Sequence, residues 1–246
     1  MPSASRLPRS GRIDVLVNSA GGTMWTRLDE ILDLSIFERL MRLNYLGSVY
    51  PTFHALPHLQ QSRGRIVAVA SMAGLIGVPT RTGYAAAKHA VAGFCDSLRV
   101  ELLDSGVTVT LICPDFVVSE IHKRALGPDG RPLGDNPMAN SKIMTAEQCA
   151  GLMIPAIERR ERLLVTSGRG RLARWLKLLA PGAIDRMGRT GDSAFLQTRR
   201  SRPQSEARAA GRARPAADAS PDDVETTPPA VPRSCRGGQR YWRRPP

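Results

Sequence analysis

Four short apolar runs punctuate the chain: Arg12–Asn18, Ile66–Ser71, Val107–Cys113 and Arg162–Thr166. They are rich in Val, Ile and Leu and show no strict alternation of apolar and polar residues. Runs of this kind read as strands buried on both faces of a parallel sheet. Longer stretches with helical periodicity lie between them, at 37–59, 82–103 and 145–160. Ser35 followed by Glu38 reads as a capping box that opens the first helix. Asn44 is a poor helix former inside it, and Pro51 is expected to kink it. Gly106 closes the second helix, and Thr145 starts the third. Alternation of strand and helix predicts an α/β fold, a doubly wound parallel sheet.

A fourth helical pattern at 169–180 is amphipathic. Leu172, Trp175, Leu176 and Leu179 share one face, and Arg171, Arg174 and Lys177 lie opposite. Such a helix suits a membrane surface, or it packs on the domain or a partner subunit with its charges in water. The packed reading is preferred.

These patterns divide the chain into a disordered lead (1–11), an α/β domain (12–168), an amphipathic helical segment (169–198) and a tail (199–246). The tail has eleven Arg and five acidic residues, with no Leu, Ile, Met or Phe, so it buries no core and reads as disordered. It also carries +6 of the net charge of +13. The basic balance therefore does not outline a nucleic-acid surface on the domain. Cys95, Cys113, Cys149 and Cys235 are scattered, which reads as reduced thiols in a cytoplasmic protein. No secretory signal or membrane-spanning run is visible. His54 and His58 are one turn apart without a third ligand, so no metal site is expected.

The chemistry gathers between Ser71 and Lys88. Tyr84 and Lys88 are four apart and share a helix face. A free tyrosine titrates near ~10. A cation one turn away favours the phenolate and makes the phenol a usable proton donor or acceptor. Ser71, at the end of the preceding strand, can bond the same reacting oxygen.

Ser71, the Tyr84-Ala-Ala-Ala-Lys88 run, the turn Asn18-Ser19-Ala20-Gly21 and Asn44 together resemble the short-chain dehydrogenase/reductase family. Pro114-Asp115-Phe116-Val117-Val118-Ser119 is similar to that family's turn on the nicotinamide side of the cofactor. The resemblance implies a Rossmann-like fold, NAD or NADP as cofactor, and hydride exchange with a small-molecule alcohol or ketone. It implies Tyr84 as acid/base, Lys88 as the group that tunes it, Ser71 as the residue that positions substrate, and Asn44 as the residue that bends its helix and supports a proton relay from Lys88. Asn18, Ala20, Gly21, Tyr84, Lys88, Pro114, Val117 and Ser119 are the implied cofactor contacts, and a homo-oligomer is the implied assembly. The apolar residues of 72–82 would line the substrate side, which suggests a hydrophobic substrate, and 120–142 would cover it. Ser19 replaces a common Asn. Asp115 replaces a Gly and is expected to bring negative charge near the cofactor.

The Gly-rich turn that faces the pyrophosphate is missing. The first strand found resembles the family's fourth, so the chain reads as N-terminally truncated, with a bare sheet edge at 13–17 that invites association. Two alternatives stay open: a non-catalytic remnant that binds no cofactor by itself, and a basic protein of the membrane periphery.

Overall fold

The computed structural model describes residues 11–134, 143–186 and 188. The expectations for the lead, the tail and part of 120–142 lie outside these residues. Four strands form one parallel sheet in chain order: β1 (Val15–Asn18), β2 (Arg65–Val69), β3 (Thr108–Cys113) and β4 (Leu163–Val165). Val15 sits opposite Arg65, Arg65 opposite Thr108, and Leu111 opposite Leu163. The helices α1 (Ser35–Leu40) and α2 (Gly47–Ser62) connect β1 to β2. α3 (Thr82–Glu101) connects β2 to β3, and α4 (Ala146–Glu158) connects β3 to β4. Each parallel pair needs such a crossover, because a tight turn cannot bring the chain back to the same end of the sheet. α5 (Gly168–Leu179) follows β4.

The first helical region differs from its expected form. Ser35 is not the cap: it is the first helical residue, and Leu34 at the cap position makes no side-chain cap bond. The Asp33 carboxylate accepts from the Ser35 amide at 2.9 Å and the Ser35 hydroxyl at 2.8 Å, so the Ser35 hydroxyl points back to Asp33. Between α1 and α2 the chain widens into a π-helical turn, Met41–Leu46, which holds Asn44. α2 then continues as α-helix through both Pro51 and Pro57. The break from α geometry therefore lies at Asn44, where the family resemblance implies a bend, and not at Pro51, the residue expected to add a kink. π-Turns of this kind occur often at functional sites.

β3 is the strand buried along nearly its whole length, with Val109, Leu111, Ile112 and Cys113 in the core. The main core joins Val109, Leu111 and Cys113 to Leu59, Ile66, Val91 and Cys95. A second cluster holds Met24, Ile36, Leu40, Ala73, Ala85 and the ring of Tyr84. β1 pairs on one side only among the described residues, and Val15 and Val17 are 41% and 48% exposed. This matches the expected bare edge.

Of the packing expected for α5, on the domain or on a partner subunit, the structure holds contact with the domain along one edge of the helix only. Its inward edge is Gly170, which is buried, with Ala173, Leu176 and Lys177 partly covered. Leu172, Trp175 and Leu179 of the apolar stripe face outward at 60% exposure or more. The physical reason is close contact: a Cβ on Gly170 would meet the Met72 sulfur at 2.7 Å, so the narrow small-residue edge reaches the domain. The stripe is left uncovered.

Candidate active site

The candidate residues collect at the C-terminal edge of the sheet, where open α/β sheets bind ligands. Asn18 ends β1, Ser71 follows β2, and Pro114 follows β3. Asn18 is buried, and its amide donates to the Thr52 hydroxyl at 2.9 Å, which ties β1 to α2. Ser19, Ala20 and Gly21 beyond it are exposed.

Ser71 caps a short 3-10 turn, Met72–Gly74, its hydroxyl accepting from the Ala73 amide at 3.2 Å. Gly74 lets this turn press on α3: a Cβ there would lie 2.8 Å from the Lys88 carbonyl. The small residues of α3 allow the same closeness on the other side. A Cβ on Gly83 would meet the Phe37 ring at 2.8 Å. Ser71 is thereby held beside Tyr84.

Tyr84 and Lys88 are both buried. Lys88 Nζ donates to the Val69 carbonyl at 2.9 Å and lies 5.8 Å from the centre of the Tyr84 ring. Burial pushes the Tyr84 phenol above its ordinary value, while hydrogen bonding from Ser71 and the charge of Arg81 pull it down. Burial also lowers the Lys88 ammonium to about 8, with a small opposing contribution from Cys113. Cys113, at the end of β3, is itself pushed up to about 12 by burial and stays a neutral thiol.

Asn44 is fully buried in the π-turn. Its amide nitrogen donates to the Leu40 carbonyl at 2.9 Å and to the Gly22 carbonyl at 3.0 Å, and its oxygen accepts from the Gly22 amide at 3.3 Å. The side chain thus fixes the loop after β1. A Cβ on Gly21 would meet the Asn44 oxygen at 2.9 Å and Lys88 Nζ at 3.4 Å. Gly21, Asn44 and Lys88 therefore meet at one place, with Tyr84 and Ser71 beside it.

The turn after β3 behaves differently from expectation at one residue. The Asp115 carboxylate accepts from the Ser167 hydroxyl at 2.7 Å and from Arg169 Nε at 2.6 Å. Burial works to raise its proton affinity, but the bonds from Arg169 and Ser167 prevail and hold it below the ordinary carboxylate range. The negative charge expected to weigh on a cofactor is already engaged by α5. Val117 forms a bridge with Met144, while Ser119 is exposed. The apolar residues after Ser71 also depart from expectation. Leu75 and Ile76 pack on the main core, while Ala73 and Val78 join the cluster around Tyr84.

Sequence reasoning passed over Arg81, Trp25 and His122. Arg81 precedes α3, is buried, and stacks on Trp25 with 3.9 Å between its guanidinium carbon and the ring centre. His122 lies 6.1 Å from the same ring. No local motif marks these residues, because the loops that bring them together are far apart in the chain. Among the described residues no cluster of three or more His, Cys, Asp or Glu side chains suits a metal, and no helix is long and apolar enough to cross a membrane.

Comparison with known proteins identifies the family and the fold. A family model described as short chain dehydrogenase matches residues 4–127. A dehydrogenase/reductase SDR family protein 7-like from Dictyostelium discoideum is 34% identical over 175 residues, which cover 71% of this chain and 54% of that protein. An 11-beta-hydroxysteroid dehydrogenase A from Sesamum indicum is 32% identical over 72% of this chain and 52% of its own length. The chain thus spans about half the length of these relatives. In fold it is similar to a short chain dehydrogenase from Burkholderia cenocepacia solved in complex with NADP, with a TM-score of 0.60 and 18% identity over 70% of this chain and 67% of that one. Half of the chain matches the family model, and Ser71, Tyr84 and Lys88 stand together in the same domain: the chain belongs to the short-chain dehydrogenase family.

Proposed function

We propose that this chain is the catalytic part of an oxidoreductase that exchanges hydride between NAD or NADP and a ketone or secondary alcohol. The observation that carries the reading is the meeting of Ser71, Tyr84, Lys88 and Asn44 around Gly21 at the sheet's C-terminal edge. The bare Gly21 backbone fits a ligand there, since a side chain at that position would fill the space beside Asn44. Bound nicotinamide would accept or supply the hydride, and the protein supplies geometry and charge. Asn18, Ala20, Gly21, Pro114, Val117 and Ser119 would hold the cofactor, together with Tyr84 and Lys88.

Tyr84 moves the proton at the substrate oxygen. Ser71 bonds that oxygen and stabilises the phenolate. Lys88 keeps positive charge near the phenol when the site is occupied, and Asn44 holds the loop and the start of the proton path. The apolar cluster around the Tyr84 ring, with Met24, Ile36, Leu40 and Val78, supports a hydrophobic substrate. Three buried thiols, Cys95, Cys113 and Cys149, support a reducing compartment such as the cytoplasm.

Two apolar surfaces remain open, the β1 edge and the outer face of α5. They support a homo-oligomer, with peripheral membrane contact through 169–180 as a second use of the α5 face. Sedimentation velocity tests the assembly; a monomer at all concentrations counts against it.

The reading is tested by titrating the purified chain with NADH and NADPH by fluorescence, then assaying apolar secondary alcohols. Saturable binding and turnover that disappears in Tyr84→Phe is the expected result. Turnover that survives Tyr84→Phe rejects the assignment of the acid/base.

A further inference from the structure

Helix α5 is fastened to both turns that carry the candidate site, and much of the fastening is polar. Asp115 directly follows Pro114 after β3, in the turn proposed to hold the cofactor. Its side chain is 16% exposed, and each carboxylate oxygen has a partner. One oxygen accepts from Arg169 Nε at 2.6 Å and from the Ser167 hydroxyl at 2.7 Å, and the other accepts from the Phe116 amide at 3.0 Å. Ser167 is also the cap of α5, its hydroxyl oxygen accepting from the Gly170 amide at 3.0 Å. This hydroxyl links the carboxylate to the first turn of the helix, the end where negative charge is favoured. The Asp115 amide donates to the Thr166 hydroxyl at 3.1 Å, so the backbone of the turn is held from the same side. The same helix reaches the turn after β2. A Cβ on Gly170 would come within 2.7 Å of the Met72 sulfur, and Lys177 Nζ donates to the Leu75 carbonyl at 2.7 Å. The turns are in addition bonded to each other, the Met72 amide donating to the Pro114 carbonyl at 2.9 Å. That bond joins the backbone beside Ser71 to the backbone beside Asp115.

We propose that Asp115, held by Ser167 and Arg169, is a positioning residue that fastens the Pro114 turn, and through it the Ser71 turn, to α5. The inference rests on the roles proposed above for these two turns, and it adds Asp115, Ser167 and Arg169 to the residues on which the site depends. It also reverses the sign expected for Asp115. A carboxylate that faced the cofactor would repel its phosphates, and removing the charge would tighten binding. A carboxylate engaged by α5 holds the turn in place, and removing the charge loosens the turn and weakens binding. The geometry favours the second case, because bonds to ionised groups are the stronger ones and Asp115 accepts its bonds within the protein. Arg169 is 71% exposed, so water screens its share, and the less exposed Ser167 bond carries the contact to the helix cap.

Two measurements test the proposal. The first needs no cofactor: amide hydrogen exchange of the chain, read by NMR. Asp115→Asn keeps the shape of the side chain and removes its charge. It should speed exchange of the Gly170 and Met72 amides by about tenfold. The Thr108 amide, bonded to the Gly64 carbonyl at the opposite end of β3, should keep its rate. Arg169→Gln should act on the same amides in the same direction, and the double variant should add little to the larger single effect. Faster exchange at Gly170 with Met72 unchanged would mean that the carboxylate anchors only the helix, and that result overturns the proposal. Unchanged exchange at both amides overturns it too. If Asp115→Asn speeds Thr108 equally, the whole domain is destabilised, and Arg169→Gln, on an exposed side chain, decides in its place. The second measurement is the fluorescence titration with NADH. Its dissociation constant should rise about threefold to tenfold in Asp115→Asn. Tighter binding in that variant overturns the proposal. The two readings fail separately: a wild-type chain that binds no NADH counts against the proposed function, while exchange at Met72 still decides the role of Asp115.

Discussion

Helices α3 and α5 both follow strands of the sheet, and they are buried in opposite measure. α5 has the cleaner separation of apolar and basic residues, yet Gly170 is its one buried position, and Leu172, Trp175, Leu178 and Leu179 are exposed. α3 has weaker patterning, with alanines and two glycines among its residues, yet it buries Tyr84, Lys88, Val91 and Cys95. The difference teaches that depth follows close backbone approach more than the width of an apolar stripe. Small residues on α3 and Gly74 opposite let the helix backbone reach the turn after β2, so even a lysine is drawn inside. On α5 only the narrow edge at Gly170 comes near, and the large residues stay outside.

The sharpest break of this comparison is chemical. Tyr84→Phe should reduce turnover by about 10³-fold or more while leaving the fold intact, read from steady-state oxidation of the preferred alcohol. A site placed on α5 would show the reverse, with no loss from this change.

Next in size is steric. Ala87 on α3 has no exposed surface, so Ala87→Leu should overfill the contact and destabilise the chain by about 1–3 kcal/mol in urea unfolding. Tolerance without loss would mean that α3 packs loosely and that closeness is not the rule.

Lys88 sharpens the comparison from the side of charge. Its folded value of about 8 lies below that of an unfolded lysine. Burial therefore penalises the charged form, a cost fully present below pH 8. The penalty is relieved as pH rises from about 8 toward the unfolded value, because the unfolded chain then binds the extra proton. Lys88→Met should remove this pH dependence and stabilise the chain near neutral pH by roughly 1–2 kcal/mol, after loss of the bond to the Val69 carbonyl, while turnover disappears. Thermal unfolding across pH checks it. An unchanged slope would show that water reaches the ammonium.

The smallest effect belongs to α5. Leu179→Ser, on the most exposed leucine of the stripe, should alter the stability of the isolated chain by no more than about 0.5 kcal/mol. A larger loss would mean that the face is covered in solution, and concentration-dependent sedimentation would then identify a second copy as the cover.

Much of the fold was legible before the structure. The four apolar runs became four parallel strands with shortened ends, because strand pairing stops where the register with the neighbour stops, as at Val69 and Val165. Ser71, Tyr84 and Lys88 converge as their spacing implied. The bend at Asn44 was implied by resemblance, whereas the bonds from Ser35 to Asp33 and the engagement of Asp115 by Arg169 were not legible in the same way. Each depends on a competition between groups with similar local claims, or on a partner from a distant element. The apolar loop after Ser71 misled for the same reason: Leu75 and Ile76 are apolar because they complete the core.

The sequence by itself determined the parallel α/β class, which follows from the periodicity of its apolar runs, and its motifs carried the resemblance to the family. Only the tertiary structure decided that Lys88 is buried, with its ammonium lowered to about 8, that Arg81 is buried against the Trp25 ring, and that most of the stripe on α5 faces outward. These properties come from desolvation and from contacts between loops, and both depend on which distant backbone comes close enough to exclude water.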